Sequence, residues 1–296
     1  MDYKKWVSNR DIRLSILKLL RFIPDSVMLR VQYRIKHGRS LNLKKPKRFT
    51  EKLQWLKIHN RKEIYHQMVD KARAKEYVAN IIGSEYIIPT YGTWKSFDDI
   101  DFDKLPNQFV LKTNTGGGGL KVVVCKSKET FNLAEAKKQL AFRGGVTGKS
   151  SGREWPYENI EKCILAEAYM QNEGEEELLD YKFYCFNGEP QYCQVISGRH
   201  TDETIDFYDM EWNHQEFIGL NTNARHSYKP ETMPATLPQM IKIARALSQG
   251  QPFLRVDLYQ INEHVYFGEL TFYPASGFGF FNPDEWDYKL GDLLKL

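Results

Sequence analysis

The chain has little cysteine and no long apolar run, and these two absences already bound its class. Its 296 residues include four cysteines, Cys125, Cys163, Cys185 and Cys193, well separated and without a CxxC pair. That spacing argues against a disulfide framework or a zinc-finger set, and three of the four sit in apolar strand-like runs, so they read as reduced core residues. No apolar run approaches the roughly 18 residues that cross a bilayer. The N-terminus lacks an uninterrupted signal-type segment, and the expectation is a cytoplasmic chain, with peripheral contact at the inner face of the membrane as the alternative. Also missing are an internal repeat, a long low-complexity segment and a nucleophile elbow. No basic run is interleaved with aromatics in the way that would suggest nucleic-acid binding, and no nucleic-acid partner is expected. His200, His214 and His226 share one region but fit no zinc spacing, and read as exposed or substrate-facing.

What is present is a globular composition, 42% hydrophobic and 14% aromatic, long enough for a sizeable core. Charge is unevenly spread. Residues 1–62 carry 18 Lys and Arg against 4 Asp and Glu, whereas the remainder carries 24 against 34. A basic front end on an acidic body points to an anionic, extended partner such as a membrane surface or an acidic glycan, or else to a solvated helical face.

Helical periodicity runs through "SNRDIRLSILKLLRFIPDS", where Ile12, Ile16, Leu19, Leu20 and Ile23 form a stripe that ends before Pro24. This helix either docks its stripe on the body or lies on a membrane. A second helix is expected in "RFTEKLQWLKIHN", capped by Thr50, and a third in "YHQMVDKARAKEYVANIIG", ended by Gly83. Short β-like runs follow from Tyr86. "ETFNLAEAKKQLAF" is again helical, "DYKFYCFNGEPQYCQVISGRH" reads as two strands around Asn187-Gly188, and "LPQMIKIARALSQG" is an amphipathic helix. Residues 201–235 show little periodicity and read as an extended surface region, and the chain closes with a strand pair and an aromatic tail.

Two glycine-rich stretches compete for a phosphate-binding role. "GGVTGKSSG" ends like a P-loop, but the glycine required five positions before Gly148 is Arg143, and no helix pattern follows, so it reads as a mobile basic loop. "FVLKTNTGGGG" has Gly116, Gly117, Gly118 and Gly119 between two strand-like runs. That is either a bare hairpin tip or a loop whose amides reach a phosphate, with Lys112 four residues upstream.

The stronger signal is "RVDLYQINEHVYFGELTFY". Alternation puts Arg255 and Asp257 on one face of the first strand, and Glu269 and Thr271 together on the second. A connecting loop of odd length, such as Asn262 to His264, sets Asp257 directly opposite Glu269, whereas a two-residue loop puts the two carboxylates on opposite faces. Like charges in cross-strand register are destabilising. Either an ion cluster with Arg255 or a divalent cation such as Mg²⁺, with Thr271 adding a hydroxyl, would offset that repulsion.

Taken in order, these pieces resemble the ATP-grasp superfamily. Its pattern is a "DK" lysine, a strand lysine before a glycine-rich hairpin, an acidic hinge strand, and an R-x-D strand paired with an E-x-N strand. The matching positions are Lys71 in "VDKARAKEYV", Lys112, Glu167 in "ILAEAYM", Arg255 and Asp257 in "LRVDLY", and Glu269 with Thr271 in "FGELT". From about residue 40 onward the chain is similar to the TupA-like branch, named for teichuronopeptide biosynthesis. The resemblance implies an α+β, ATP-grasp fold of two subdomains gripping ATP behind a basic helical N-terminal extension. The expected divisions are 1–62, 63–107, 108–170 with the glycine loop, and 171–296 with the metal-binding hairpin.

It also implies roles. Lys71 and Lys112 would hold the α- and β-phosphates, and Gly116 to Gly119 would close over them. Glu167, Ala168 and Tyr169 would face the adenine side, with Asp180 also on the nucleotide. Asp257 and Glu269, with Thr271, would hold one or two Mg²⁺ ions. Arg255 would stabilise an oxyanion, Lys182 would meet the γ-phosphate or the carboxylate, and Ser276, Gly277 and Arg199 would contact substrate. The implied chemistry joins an amine to a carboxylate through an acylphosphate, with an acidic glycan or lipid-linked sugar as acceptor and an amino acid as amine donor. A sugar kinase of the same fold, or a non-catalytic polyanion-binding protein, are the alternatives. Two departures stand out: Thr271 replaces the usual asparagine, and residues 1–85 read as helical rather than as a Rossmann-like domain.

Overall fold

The computed structural model describes residues 15–17, 19–115, 121–142, 145–172, 178–198, 202–220 and 225–296. Helices α1 (Asp25–His37), α2 (Phe49–His59), α3 (Ile64–Val69) and α4 (Ala74–Ile82) come first. Strands β1 (Thr90–Trp94), β2 (Phe109–Thr113), β3 (Val122–Cys125) and, after helix α5 (Leu133–Leu140), β4 (Ile164–Ala168) form an antiparallel sheet in the order β1-β4-β2-β3. A larger sheet takes β5 (Asp180–Phe186), β6 (Glu189–Ser197), β7 (Thr204–Asp209), β8 (His214–Gln215), β10 (Phe253–Ile261) and β11 (His264–Thr271). Its order is β11-β10-β5-β6-β7-β8, all antiparallel. The short β9 (Ile218–Gly219) pairs with β12 (Phe281–Asn282), helix α6 (Leu237–Ser248) precedes β10, and α7 (Glu285–Leu293) follows β12.

Each sheet has its own apolar core. In the smaller one Phe109, Leu111, Ile164 and Ala166 meet Leu140 of α5. In the larger one Met240, Ile243, Ala244 and Leu247 of α6 cover one face of the sheet together with Phe183, Cys193 and Val256. All four cysteines are free thiols, and Cys125, Cys185 and Cys193 are buried as read from the sequence.

Several expected elements are corrected. Thr50 does not cap α2. It lies inside the first turn, where its amide and hydroxyl donate to Asp287 at 2.9 and 2.8 Å. The α2 start is held instead by Glu51, which accepts from the amides of Asn42, Lys47 and Arg48. The single helix expected over residues 65–83 breaks in two at Asp70. Its carboxylate accepts from the Ala72 amide at 2.9 Å and from the Asn114 side chain at 3.1 Å, offering the backbone an alternative to the helix. Residues 201–235, expected as an extended surface region, contribute β7 and β8 to the large sheet, and α7 forms where the sequence shows only an aromatic tail. Of the stripe before Pro24, Ile16 and Leu19 are exposed at 42% and 76%, Leu20 and Ile23 are half-buried with their carbonyls accepting from Arg153, and Ile12 lies outside the described residues. No helix among the described residues is long and apolar enough to cross a membrane.

Candidate active site

The carboxylate hairpin takes the shorter of the two loops weighed from the sequence. β10 and β11 join through the two-residue turn Asn262-Glu263, both left-handed at φ 48° and 62°. The two-residue loop, not the odd-length one, is therefore present, and such a turn alone would turn Glu269 away from Asp257. A β-bulge restores the parity: Leu258 pairs with Phe267, yet Asp257 pairs with Glu269, leaving Gly268 as the extra residue. Close approach explains the glycine, since a Cβ there would lie 3.0 Å from both the Asp257 carbonyl oxygen and the Tyr259 ring.

The two carboxylates sit inside a cluster of balanced charge. Arg255 donates from Nε and Nη2 to the two oxygens of Asp257, each at 2.7 Å, and from Nη2 to Glu269 and Thr271 at 3.1 Å. Lys182, cross-strand from Asp257 on β5, reaches Asp257 at 2.5 Å and Asp180 at 2.6 Å. Lys71 reaches Glu269 at 2.9 Å. Among the described residues three carboxylates, Asp257, Glu269 and Asp180, thus meet three cations, Arg255, Lys182 and Lys71. Burial works to raise the Glu269 carboxyl, but Lys71, Arg255 and Lys182 outweigh it and hold it well below the usual range.

Lys71 reaches the hairpin because of the helix break at Asp70. Its amide donates to the Asn114 carbonyl at 3.1 Å. The Asn114 side chain in turn donates to Asp70 and to the Glu161 carbonyl and accepts from the Cys163 amide. Asn114, 1% exposed and just before the glycines, therefore ties the end of β2 to the lysine segment.

Lys112 lies on the smaller sheet and pairs with Glu167 at 2.5 Å, while Lys75 holds the other Glu167 oxygen at 2.6 Å. Burial would raise the Glu167 carboxyl, but the two ammonium groups lower it overall. Both Glu167 oxygens are thus held in ion pairs. The Ala168 amide donates to the Pro89 carbonyl at 3.0 Å. Tyr169, in contrast, lines a cleft of about 450 Å³ with Met170, Gln171, Asn262, His264 and Tyr266. That cleft opens between the end of β4 and the tip of the β10–β11 hairpin.

Ser276 and Gly277 lie on a strained turn in which Ala275, Ser276 and Gly277 are consecutively left-handed, at φ 48°, 54° and 63°. Gln54 donates to the Gly277 carbonyl at 2.6 Å, and the fully buried Lys57 donates to the carbonyls of Ser276 and Gly152, both at 2.7 Å. The Ser276 hydroxyl donates to Glu154. Arg199 and Gly116 to Gly119 lie outside the described residues.

Sequence reasoning missed Lys75, Asn114, Lys57 and Tyr157. Lys75 had a signal, the four-residue spacing from Lys71. Tyr157 had none. Burial pushes its hydroxyl well above its ordinary value, and Glu154 and Glu269 add to the push.

A family model described as TupA-like ATPgrasp matches residues 51–295. Among solved structures, a D-alanine–D-alanine ligase from Bacillus anthracis is similar at 16% identity and a TM-score of 0.45, covering 77% of this chain and 66% of its own. A RimK domain protein ATP-grasp from Sphaerobacter thermophilus aligns at 11% identity and a TM-score of 0.42, over 79% of this chain and 70% of its own. A biotin carboxylase complex from Campylobacter jejuni gives 15% identity and a TM-score of 0.45, over 84% of this chain and 53% of its own. This chain thus spans about two thirds of the first ligase and about half of the carboxylase. No curated protein matches it. With the family model covering residues 51–295 of 296, the protein belongs to the TupA-like ATPgrasp family and has the ATP-grasp, α+β fold.

Proposed function

We propose that this chain is an ATP- and Mg²⁺-dependent carboxylate–amine ligase, acting on a uronic acid of a cell-surface or capsular polysaccharide precursor with an amino acid as amine donor. The observation that carries the reading is the bulge that brings Asp257 and Glu269 into register, with Arg255, Lys182 and Lys71 around them. Register opposition of two acids has a cost, and a device that restores it against the turn's own parity argues for use.

The donor set suits Mg²⁺: Asp257, Glu269 and Thr271 offer hard oxygens from one face of one hairpin. When bound, the ion neutralises charge that develops as a phosphoryl group moves. Arg255 and Lys71, which now balance Asp257 and Glu269, are then free to take a phosphate or acyl oxygen. Lys71 and Lys112 would bind phosphates, and Arg255 would hold the oxyanion formed when the amine attacks. The cleft at Tyr169 and His264 lies four residues along β10 from Asp257, on the order of 13 Å, so one elongated nucleotide could touch both. Ser276, Gly277 and Arg199 would meet the acceptor.

The experiment is ADP and amide formation with a uronate acceptor and a panel of amino acids. Asp257→Asn or Glu269→Gln is expected to lower turnover by about 100-fold or more; unchanged turnover would overturn the proposal. Trapping with hydroxylamine gives a hydroxamate only from an acylphosphate, so its absence alongside ADP release would indicate a kinase acting on a sugar hydroxyl.

A further inference from the structure

A second constellation lies away from this hairpin. On β7 Asp206 is 1% exposed, and its Oδ1 meets His214 Nε2 at 2.7 Å and His226 Nδ1 at 2.9 Å. Its Oδ2 accepts from the Ser227 amide at 3.1 Å, which fixes the carboxylate plane. The two imidazole rings stand 5.0 Å apart and nearly perpendicular, and His214 packs edge-on against Tyr208. One ligand atom from each of the three residues lies within 4.8 Å of the others.

This group is on the other side of the sheet from the ion cluster. Directly paired residues share a face, so Asp257, Lys182, Gln194 and Phe207 run across one face. Leu258, Tyr181, Val195 and Asp206 run across the other. The nucleotide chemistry proposed above has no use for it.

We propose that Asp206, His214 and His226 form a zinc-class metal site. Two imidazoles and one carboxylate are the donors that borderline divalent transition metals prefer, where an all-oxygen set would favour Mg²⁺. Tetrahedral zinc with bonds of about 2.0–2.1 Å needs ligand atoms about 3.3 Å apart. The observed 2.7 and 2.9 Å contacts reach that spacing if the two rings move outward by about half an ångström, and both side chains are partly exposed at 28% and 31%. The buried Asp206, held by the Ser227 amide, supplies the fixed corner, and a water would complete the fourth position. Each neutral imidazole coordinates by shifting its proton to its outward nitrogen, so no net proton is lost.

Such an ion would act as a staple. His214 belongs to β8 and His226 to the segment that lies along β7, where the Ile205 amide donates to the Arg225 carbonyl at 3.0 Å. Metal binding would fix both segments to one sheet residue, away from the nucleotide cleft.

The test titrates zinc into the chelator-stripped full chain. The wild type and Asp257→Asn are expected to bind one equivalent and to show a raised unfolding temperature. His214→Ala and His226→Ala are expected to lose both effects while keeping the wild-type unfolding temperature without zinc. Cobalt(II) added to the wild type should give visible ligand-field absorption, a reading that does not depend on any variant folding. Zinc binding that is no tighter in the wild type than in the double histidine variant, loss of the equivalent in Asp257→Asn instead, or a colourless cobalt complex would each overturn the proposal.

Discussion

Lys57 shows how one buried residue shapes the region beside the ion cluster. It is fully buried on α2, with no carboxylate among the described residues in contact, and its ammonium is met by two backbone carbonyls and the Phe278 ring at 4.8 Å. Burial, opposed by the more distant Glu154, lowers it from 10.5 to about 7. The sign follows from proton counting. Between about pH 7 and 10.5 the unfolded chain keeps the proton while the folded chain releases it, so folding stability rises with pH across that window. Urea midpoints of the wild type and Lys57→Met at pH 6, 8 and 10 check this: the difference should move in favour of the wild type as pH rises, and a flat difference would refute it. Nothing in "EKLQWLKIHN" marks Lys57, because helical spacing alone does not tell a snorkelling lysine from a buried one.

At the scale of the element, the hairpin depends on a single bulge. Gly268 sits where any side chain would press on the Asp257 carbonyl and the Tyr259 ring. Gly268→Val is therefore expected to destabilise the fold by about 1–3 kcal/mol, the usual cost of overpacking. It should also weaken Mg²⁺-dependent nucleotide binding, because the strain falls on the residue pair that sets the register. Thermal unfolding and binding of an ATP analogue with and without Mg²⁺ check both parts; a variant with wild-type Mg²⁺ dependence would mean the register does not need the glycine. The break between α3 and α4 is comparable. A continuous helix would carry Lys71 away, and Asp70 with Asn114 stops it where Lys71 meets Glu269.

Across the whole molecule, charge and exposure gather at the N-terminal side. The described residues leave Leu19, Phe22, Val27, Val31 and Ile35 exposed, and Val27, Val31 and Ile35 follow helical spacing along α1. Arg21, Arg30 and Arg34 accompany them within a stretch of strongly positive balance. An apolar stripe beside arginines suits an anionic lipid surface. Replacing Val27, Val31 and Ile35 by serine should abolish sedimentation with phosphatidylglycerol vesicles and leave nucleotide turnover on soluble substrate intact. Wild-type sedimentation should fall as salt rises. Wild-type chain that stays in the supernatant at low salt would remove the membrane from the account.

The sequence by itself determined the family and the chemical types in the site. The order of the lysines, glycines and carboxylates survives in one dimension, and strand alternation put Arg255 with Asp257 and Lys182 with Asp180 on common faces. Only the tertiary structure decided how Asp257 meets Glu269, because a bulge changes parity without leaving a pattern. It also showed that Lys75 and Lys112 share Glu167, and that His214 and His226, twelve residues apart, converge on Asp206. Local propensity carries information over a few residues, whereas these contacts join strands and loops whose meeting is fixed by packing of the sheets.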